Sequence, residues 1–172
     1  MPLTAPRLPR WLWRWFRDDR HWEALSFFRG VPIFQGLTRR QLGRVMMIMQ
    51  HRPYRAGEIV FEEGQLGRAV FILKSGKVEL SRKSGNMRRV LGVVTSGQMF
   101  GEMALLEQMQ RTASATVLED GEIYLLYSAT LDTLIHQYPS IGVILLRNVA
   151  VVLSALLRRA NTELDHRAQP AA

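Results

Sequence analysis

Short β-type runs separated by glycines fill the middle of this chain, from Pro53 to Tyr127. Each run is only a few residues long and is rich in the branched and aromatic residues that strands favour. Many short strands with turn residues between them are typical of a small antiparallel barrel or jelly roll. The candidate strands are 58–61, 69–73, 77–80, 89–94, 113–118 and 122–127, with a hairpin tip at 84–86 and glycines at 57, 64, 67, 76, 85, 97 and 121.

Helical patterns flank this segment on both sides. Before it, Thr38 is a predicted N-cap, and apolar residues then recur every three or four positions. After it, Ser128 and Ser140 are predicted N-caps of two further helices. We therefore expect an α+β fold, an antiparallel jelly-roll barrel flanked by N-terminal helices and two C-terminal helices. The predicted divisions are an extension at 1–22, one domain at 23–164 (helices 23–50, barrel 53–127, helices 128–164) and a tail at 165–172.

Composition excludes several classes of protein. The chain has 172 residues, 47% of them hydrophobic and 22% charged, which fits one domain with a buried core. It has no cysteine, which excludes disulfides, thiolate metal sites and a cysteine nucleophile. The histidines are scattered, and neither a nucleophile-elbow serine nor a P-loop occurs, so we expect no metal site and no catalysis.

The apolar stretches are too short or too interrupted to predict export or a membrane span. The basic N-terminus is not followed by a sustained apolar run. The longest apolar region, 141–157, contains Arg147 and Asn148 and is better explained as a buried helix. We therefore expect a cytoplasmic protein.

The most specific chemistry lies between Phe100 and Ala113. N–H groups at the start of a short helical turn lack internal partners, and Gly101 allows backbone to approach a ligand closely. Arg111 adds a permanent positive charge whose planar donors match phosphate oxygens. Glu102 would repel a phosphate, so a sugar hydroxyl suits it better. The structural alternative is a strand–helix–strand connection in which Glu102 and Arg111 simply form an ion pair.

Two short runs together resemble the phosphate-binding cassette of the cyclic-nucleotide-binding domain family. They are Phe-Gly-Glu-Met-Ala-Leu-Leu at 100–106 and Arg-Thr-Ala at 111–113. That family includes catabolite activators, protein kinase A regulatory subunits and cyclic-nucleotide-gated channels. The runs 56–67 and 71–78 are similar to its early strands. The resemblance implies a stand-alone, bacterial-type member whose regulatory ligand is cAMP or cGMP.

The resemblance also implies roles for individual residues. It assigns Glu102 to the ribose 2′-hydroxyl and Arg111 to the cyclic phosphate. Thr112 is where members of the family often separate guanine from adenine, and its hydroxyl could also assist the phosphate. The implied ligand-binding residues are Phe100, Gly101, Glu102, Met103, Ala104, Arg111, Thr112 and Ala113 in the cassette, Val90, Leu91 and Val93 as an apolar wall against the base, and Leu156 and Arg159 as a lid on the final helix.

The segments on either side of the barrel are the predicted contact surfaces for partners. The final helix is apolar on nearly every side around 149–157, which fits packing on the barrel or pairing with a second copy in a homodimer. The segment 1–22, rich in Trp and Arg, could bind a protein partner, contact a membrane surface peripherally, or fold back on the barrel. Only 161–172 follows, so we expect no helix-turn-helix and no sequence-specific DNA binding.

Two functions of different kinds fit these features. The leading prediction is a cyclic-nucleotide sensor that signals to a protein partner by rearranging its flanking helices. The alternative is a ligand-independent scaffold that has the same fold and acts through its N-terminal Trp/Arg segment. A third and weaker prediction, nucleic-acid binding, rests only on the net charge of +8, which is spread over the chain.

Overall fold

A computed structural model describes residues 19–168 except 86 and 108, so most of the predicted N-terminal extension lies outside the described residues. The helices are α1 (Asp19–Gly30), a short 3-10 helix (Pro32–Phe34), α2 (Arg39–Ile48), α3 (Met103–Leu106), α4 (Ser128–Gln137) and α5 (Pro139–Ala168). The strands are β1 (Gln50–Tyr54), β2 (Ile59–Phe61), β3 (Ala69–Ser84), β4 (Met87–Val94), β5 (Met99–Phe100) and β6 (Ser114–Tyr127).

The strands form one antiparallel sheet around two long central strands. β6 pairs with β1, β2 and β3, and β3 pairs in turn with β4 and β5. Helices precede and follow the sheet in the chain, so the predicted α+β class is confirmed. The barrel segment begins with β1 at Gln50, three residues before the predicted start, because Pro53 lies inside that strand.

Two glycines that were expected to separate strands lie inside continuous strands. β3 passes through Gly76 and β6 passes through Gly121, so the predicted breaks at these positions are wrong. A Cβ added to Gly76 would lie 2.6 Å from the carbonyl oxygen of Glu119, in a region where the strand register shifts. Here glycine permits a close approach of two backbones rather than a turn.

Helix starts agree with the sequence at one of three predicted caps. Thr38 and Gln41 form a capping box, in which the Thr38 hydroxyl accepts from the Gln41 N–H at 3.3 Å and the Gln41 amide oxygen accepts from the Thr38 N–H at 2.9 Å. Ser128 is instead the first helical residue, and its hydroxyl donates to the carbonyl of Arg68 at 3.3 Å. α5 begins at Pro139, before Ser140, because proline is favoured in the first turn.

The first half of α5 is fixed in the core that the helices share with the sheet. Ile141, Leu145 and Val149 are buried there. Asn148 is also buried, and its side-chain N–H groups donate to the carbonyls of Ile33 at 2.9 Å and Gln35 at 2.7 Å. α5 is therefore tied at this point to the 3-10 helix that links α1 and α2.

The opposite face of α5 is apolar and exposed. Val143 and Leu157 are 65% and 63% exposed. The part Pro139–Thr162 is long enough to cross a membrane and contains an 18-residue window with a mean hydropathy of 2.1, and it is the one such helix in the described part of the chain. The prediction that this helix is buried is therefore confirmed only for the face that packs in the core.

Candidate functional site

A cavity of about 710 Å³ opens between β4, the segment from 97 to 113 and the second half of α5. Its volume lies in the range of small-molecule sites. The predicted site residues that line it are Phe100, Gly101, Glu102, Met103, Arg111, Thr112, Ala113, Leu91, Val93, Leu156 and Arg159. The fold thus brings three separate parts of the sequence to one cavity.

Two predicted residues are not part of the described lining. Val90 is 53% exposed and does not line the cavity, whereas Leu91 and Val93 do. The register of β3 and β4 shifts at this point, so Gly92 pairs with the lining residue Leu80, whereas Val90 pairs with Ser81, which does not line the cavity. The side chain of Ala104 lies outside the described residues.

Arg111 is buried, with 8% of its surface exposed, and main-chain carbonyls hold its guanidinium. Nη1 donates to the carbonyl of Gly101 at 2.9 Å, and Nη2 donates to the carbonyl of Ala69 at 2.8 Å. The backbone N–H of Arg111 donates to the carbonyl of Gln65 at 2.8 Å, and its own carbonyl accepts from the N–H of Gly64 at 2.9 Å. The turn between β2 and β3 therefore fixes where this cation lies.

The positive charge of Arg111 has no ion-pair partner among the described residues. The alternative in which Glu102 and Arg111 simply form an ion pair is therefore wrong for this structure. Burial lowers the pKa of Arg111, and the nearby charge of Glu102 opposes that shift. A buried cation beside a cavity, with no carboxylate bound to it, is a favourable place for an anion.

Glu102 lies at the start of α3 but does not cap it with its side chain. Burial raises the pKa of its carboxyl above the usual value, while a hydrogen bond from its own backbone and the charge of Arg111 act in the opposite direction. A cavity-lining carboxylate without a capping role can accept a hydrogen bond from a ligand hydroxyl.

The segment after Arg111 is also fixed by its main chain. Nε of Arg82 donates to the carbonyl of Thr112 at 2.8 Å, and Thr112 lines the cavity. The segment before Arg111 is held by the N–H of Gly67, which donates to the carbonyl of Met109 at 2.9 Å.

Several lining residues were missed by the sequence analysis. Val152 and Ala155 lie on the same stretch of α5 as Leu156, and helical spacing could have found them. Phe61 and Leu80 come from β2 and β3, and no local motif marks them as part of the site.

Comparison with known proteins gives a consistent result. The family model described as "Cyclic nucleotide-binding domain" matches residues 51–138. The Cyclic AMP receptor protein of Thermus thermophilus is 36% identical over 138 residues, which cover 80% of this chain and 62% of that protein.

Solved structures resemble the chain in the same region. The crystal structure of the Thermus thermophilus catabolite activator protein has a TM-score of 0.71 and 36% identity, covering 78% of this chain and 62% of that one. The regulatory domain of Toxoplasma gondii PKA, crystallised with cAMP, has a TM-score of 0.62 and 29% identity, covering 68% of this chain and 45% of that one. The chain therefore spans less than two thirds of the length of these relatives.

Proposed function

This chain belongs to the cyclic nucleotide-binding domain family, and on that premise we propose that it is a regulatory sensor of cAMP or cGMP. The observation that carries the proposal is Arg111, a buried cation without an ion-pair partner among the described residues, at the wall of a cavity of about 710 Å³. A ligand phosphate would supply a negative charge next to the cation and accept hydrogen bonds from the remaining guanidinium N–H groups. Nothing in this arrangement requires catalysis.

The other lining residues suit the rest of a cyclic nucleotide. In the proposal, Arg111 binds the cyclic phosphate and the carboxylate of Glu102 accepts from the ribose 2′-hydroxyl. Leu91 and Val93 provide an apolar surface for the base, and Thr112 offers a hydroxyl to either purine. Leu156 and Arg159 of α5 close the cavity from the opposite side.

Signalling would pass through α5. The second half of this helix lines the cavity, and its first half is tied by Asn148 to the segment between α1 and α2. A ligand that binds one position of α5 more tightly than another shifts the population toward that position. The movement would change the surface that the helices present to a protein partner.

A second copy of the chain is the partner that the exposed face of α5 fits best. Val143 and Leu157 belong to an apolar surface of this helix that lies outside the cavity lining, and burying such residues stabilises association. Sedimentation of the full chain tests this part, because Val143→Glu should convert a dimer to a monomer. A wild-type chain that sediments as a monomer would contradict it.

The sensor function is tested by calorimetric titration of the full chain with cAMP and cGMP. We expect binding by the wild type, and losses of about 100-fold in Arg111→Ala and about tenfold in Glu102→Ala, since charged hydrogen bonds contribute about 1.5–3 kcal/mol. Arg89→Ala is the matched control, because Arg89 is exposed and lies outside the cavity lining. Absence of binding by the wild type at high micromolar ligand concentrations would contradict the proposal.

The same variants separate the sensor from a ligand-independent scaffold. If Arg111→Ala keeps the cellular activity of the chain and deletion of 1–22 abolishes it, the scaffold is the better explanation. The sensor predicts that Arg111→Ala loses the activity.

A further inference from the structure

Arg111 lies against a cluster of three buried phenylalanines, which we call the aromatic platform and define as Phe61, Phe71 and Phe100. The Cζ atom of Arg111 is 4.2 Å from the ring centroid of Phe61 and 5.2 Å from that of Phe71. Phe71 stacks on Phe100 with a centroid distance of 5.2 Å and an interplanar angle of 19°. Phe61 is 5.3 Å from Phe71, so the three rings form one connected surface.

The platform explains how a buried guanidinium is stabilised while it remains available to an anion. A ring face attracts a cation through its quadrupole but carries no net charge. The two hydrogen-bond partners of the Arg111 side chain, the carbonyls of Gly101 and Ala69, are also neutral. A carboxylate in their place would neutralise the cation and compete with a ligand phosphate for its N–H groups.

The geometry restricts the orientation of the guanidinium from two directions. Of its five N–H groups, two donate to the carbonyls, which fixes the guanidinium in its own plane. Cζ lies over the nearest ring, that of Phe61, at 4.2 Å from its centroid, so this ring restricts movement of the guanidinium on that side. The three other N–H groups have no protein acceptor among the described residues, which suits a planar, multidentate contact with phosphate.

We propose that Phe61 is a positioning residue that acts through Arg111, so that its ring face sets the affinity of the site for the phosphate of a cyclic nucleotide. Phe61 is the member of the platform closest to the guanidinium, and it also lines the cavity. The inference rests on the proposed function and adds a residue, on β2, that lies far in sequence from the cassette.

The test compares Phe61→Leu, which removes the ring but keeps an apolar side chain, with Phe61→Tyr, which keeps the ring. For cAMP and cGMP we expect binding about tenfold weaker in Phe61→Leu, a change of about 1.4 kcal/mol, and near wild-type binding in Phe61→Tyr. Affinities for adenosine and guanosine, which lack the phosphate, should be unchanged in both variants. A merely structural role for Phe61 would weaken nucleotide and nucleoside alike.

Phe28→Leu is the matched control for loss of a buried ring. Phe28 is fully buried and contacts Phe34 and Tyr124 at centroid distances of 5.6 Å and 4.7 Å. It belongs to the core that the helices share with the sheet, not to the aromatic platform. We expect this variant to lose stability and to keep its affinity for cyclic nucleotides. Equal losses of affinity in Phe28→Leu and Phe61→Leu would overturn the inference.

A second measurement needs no ligand. Ring currents shift the NMR resonance of a proton held over an aromatic face, so the Nε–H signal of Arg111 should move when Phe61 is replaced by Leu and stay when it is replaced by Tyr. An unmoved signal in Phe61→Leu overturns the inference, even if the wild type binds cyclic nucleotide. A wild type that binds neither nucleotide overturns the proposed function. In that case the Nε–H signal still tests whether Phe61 positions the guanidinium, because it is measured without ligand.

Discussion

The guanidinium of Arg111 occupies the space in which a side chain at position 101 would lie. A Cβ added to Gly101 would be 2.5 Å from Nη1 of Arg111, closer than real Cβ contacts come. Gly101 also has a φ of +70°, in the left-handed region that favours glycine. Glycine is required here for two independent reasons, its backbone conformation and the room it leaves for the cation.

Replacing Gly101 with alanine should therefore reduce both stability and ligand affinity. We expect a loss of about 1–2 kcal/mol in the free energy of unfolding from the strained backbone. We also expect affinity for cyclic nucleotide to fall at least about tenfold, because Arg111 must move. Urea unfolding and calorimetric titration measure the two effects.

Gly57→Ala is the control for strain alone. Gly57 has a φ of +87°, and a Cβ there would meet nothing within 4 Å. It should lose a similar amount of stability and keep full affinity. If Gly101→Ala binds as tightly as Gly57→Ala, the contact with Arg111 does not set affinity.

Ligand affinity should depend on pH through Glu102. An ionised carboxylate accepts a ribose hydroxyl best, so affinity should fall as the pH falls through the pKa of this group. Burial raises that pKa above its usual value of 4.5, so the midpoint should lie above 4.5. Titrations between about pH 4 and about pH 7 measure the midpoint, and Glu102→Gln should flatten the profile.

The same carboxyl should affect stability in the opposite sense. Because its pKa is higher in the folded than in the unfolded chain, the folded state binds the proton more tightly, and this stabilisation is lost as the pH rises through that interval. The stability of Glu102→Gln relative to wild type should thus be greater near pH 7 than near pH 4. Urea unfolding at the two pH values gives the comparison, and the reverse order would contradict the raised pKa.

Neighbouring leucines on α5 should differ in their effect on binding. Leu156 lines the cavity, whereas Leu157 does not and is 63% exposed. Loss of apolar contact in Leu156→Ala should weaken binding about three- to tenfold, and Leu157→Ala should leave it unchanged. Calorimetric titration of both variants is the measurement. Equal losses of affinity in the two variants would mean that direct contact between Leu156 and the ligand is not what ties α5 to binding.

Asn148 should contribute to stability through its two hydrogen bonds. Asn148→Ala leaves the carbonyls of Ile33 and Gln35 without these donors, at a cost of about 2–3 kcal/mol. Asn161→Ala, an exposed position on the same helix, should have little effect. Urea unfolding distinguishes the two. A small loss in Asn148→Ala would show that apolar packing alone holds α5 in place.

The parts of the site that local sequence could predict are those that lie on one continuous segment. Gly101, Glu102 and Arg111 occur within eleven residues, so their residue types suggested a phosphate and a sugar, and the resemblance of the whole string to a known cassette favoured these over a simple ion pair. Thr38 was predicted in the same way, because a capping box is a property of four consecutive residues.

Contacts between distant segments could not be predicted in this way. Phe61 reaches Arg111 because β2 and the start of β6 are paired, which nothing in either segment reveals. Gly76 looked like a turn residue, and only the approach of β6 shows that it relieves a clash inside a strand. In both cases the tertiary neighbour decides what the residue does.

The side chain of Arg111 is tethered to the main chain of Ala69 and Gly101 rather than to other side chains. A carbonyl is present whichever amino acid a codon specifies, so no single substitution can delete either acceptor directly. The two acceptors are thus insulated from mutational drift, although a side chain at position 101 would still displace the cation that they hold. Substitutions in the lid can retune the site while leaving its electrostatic centre intact.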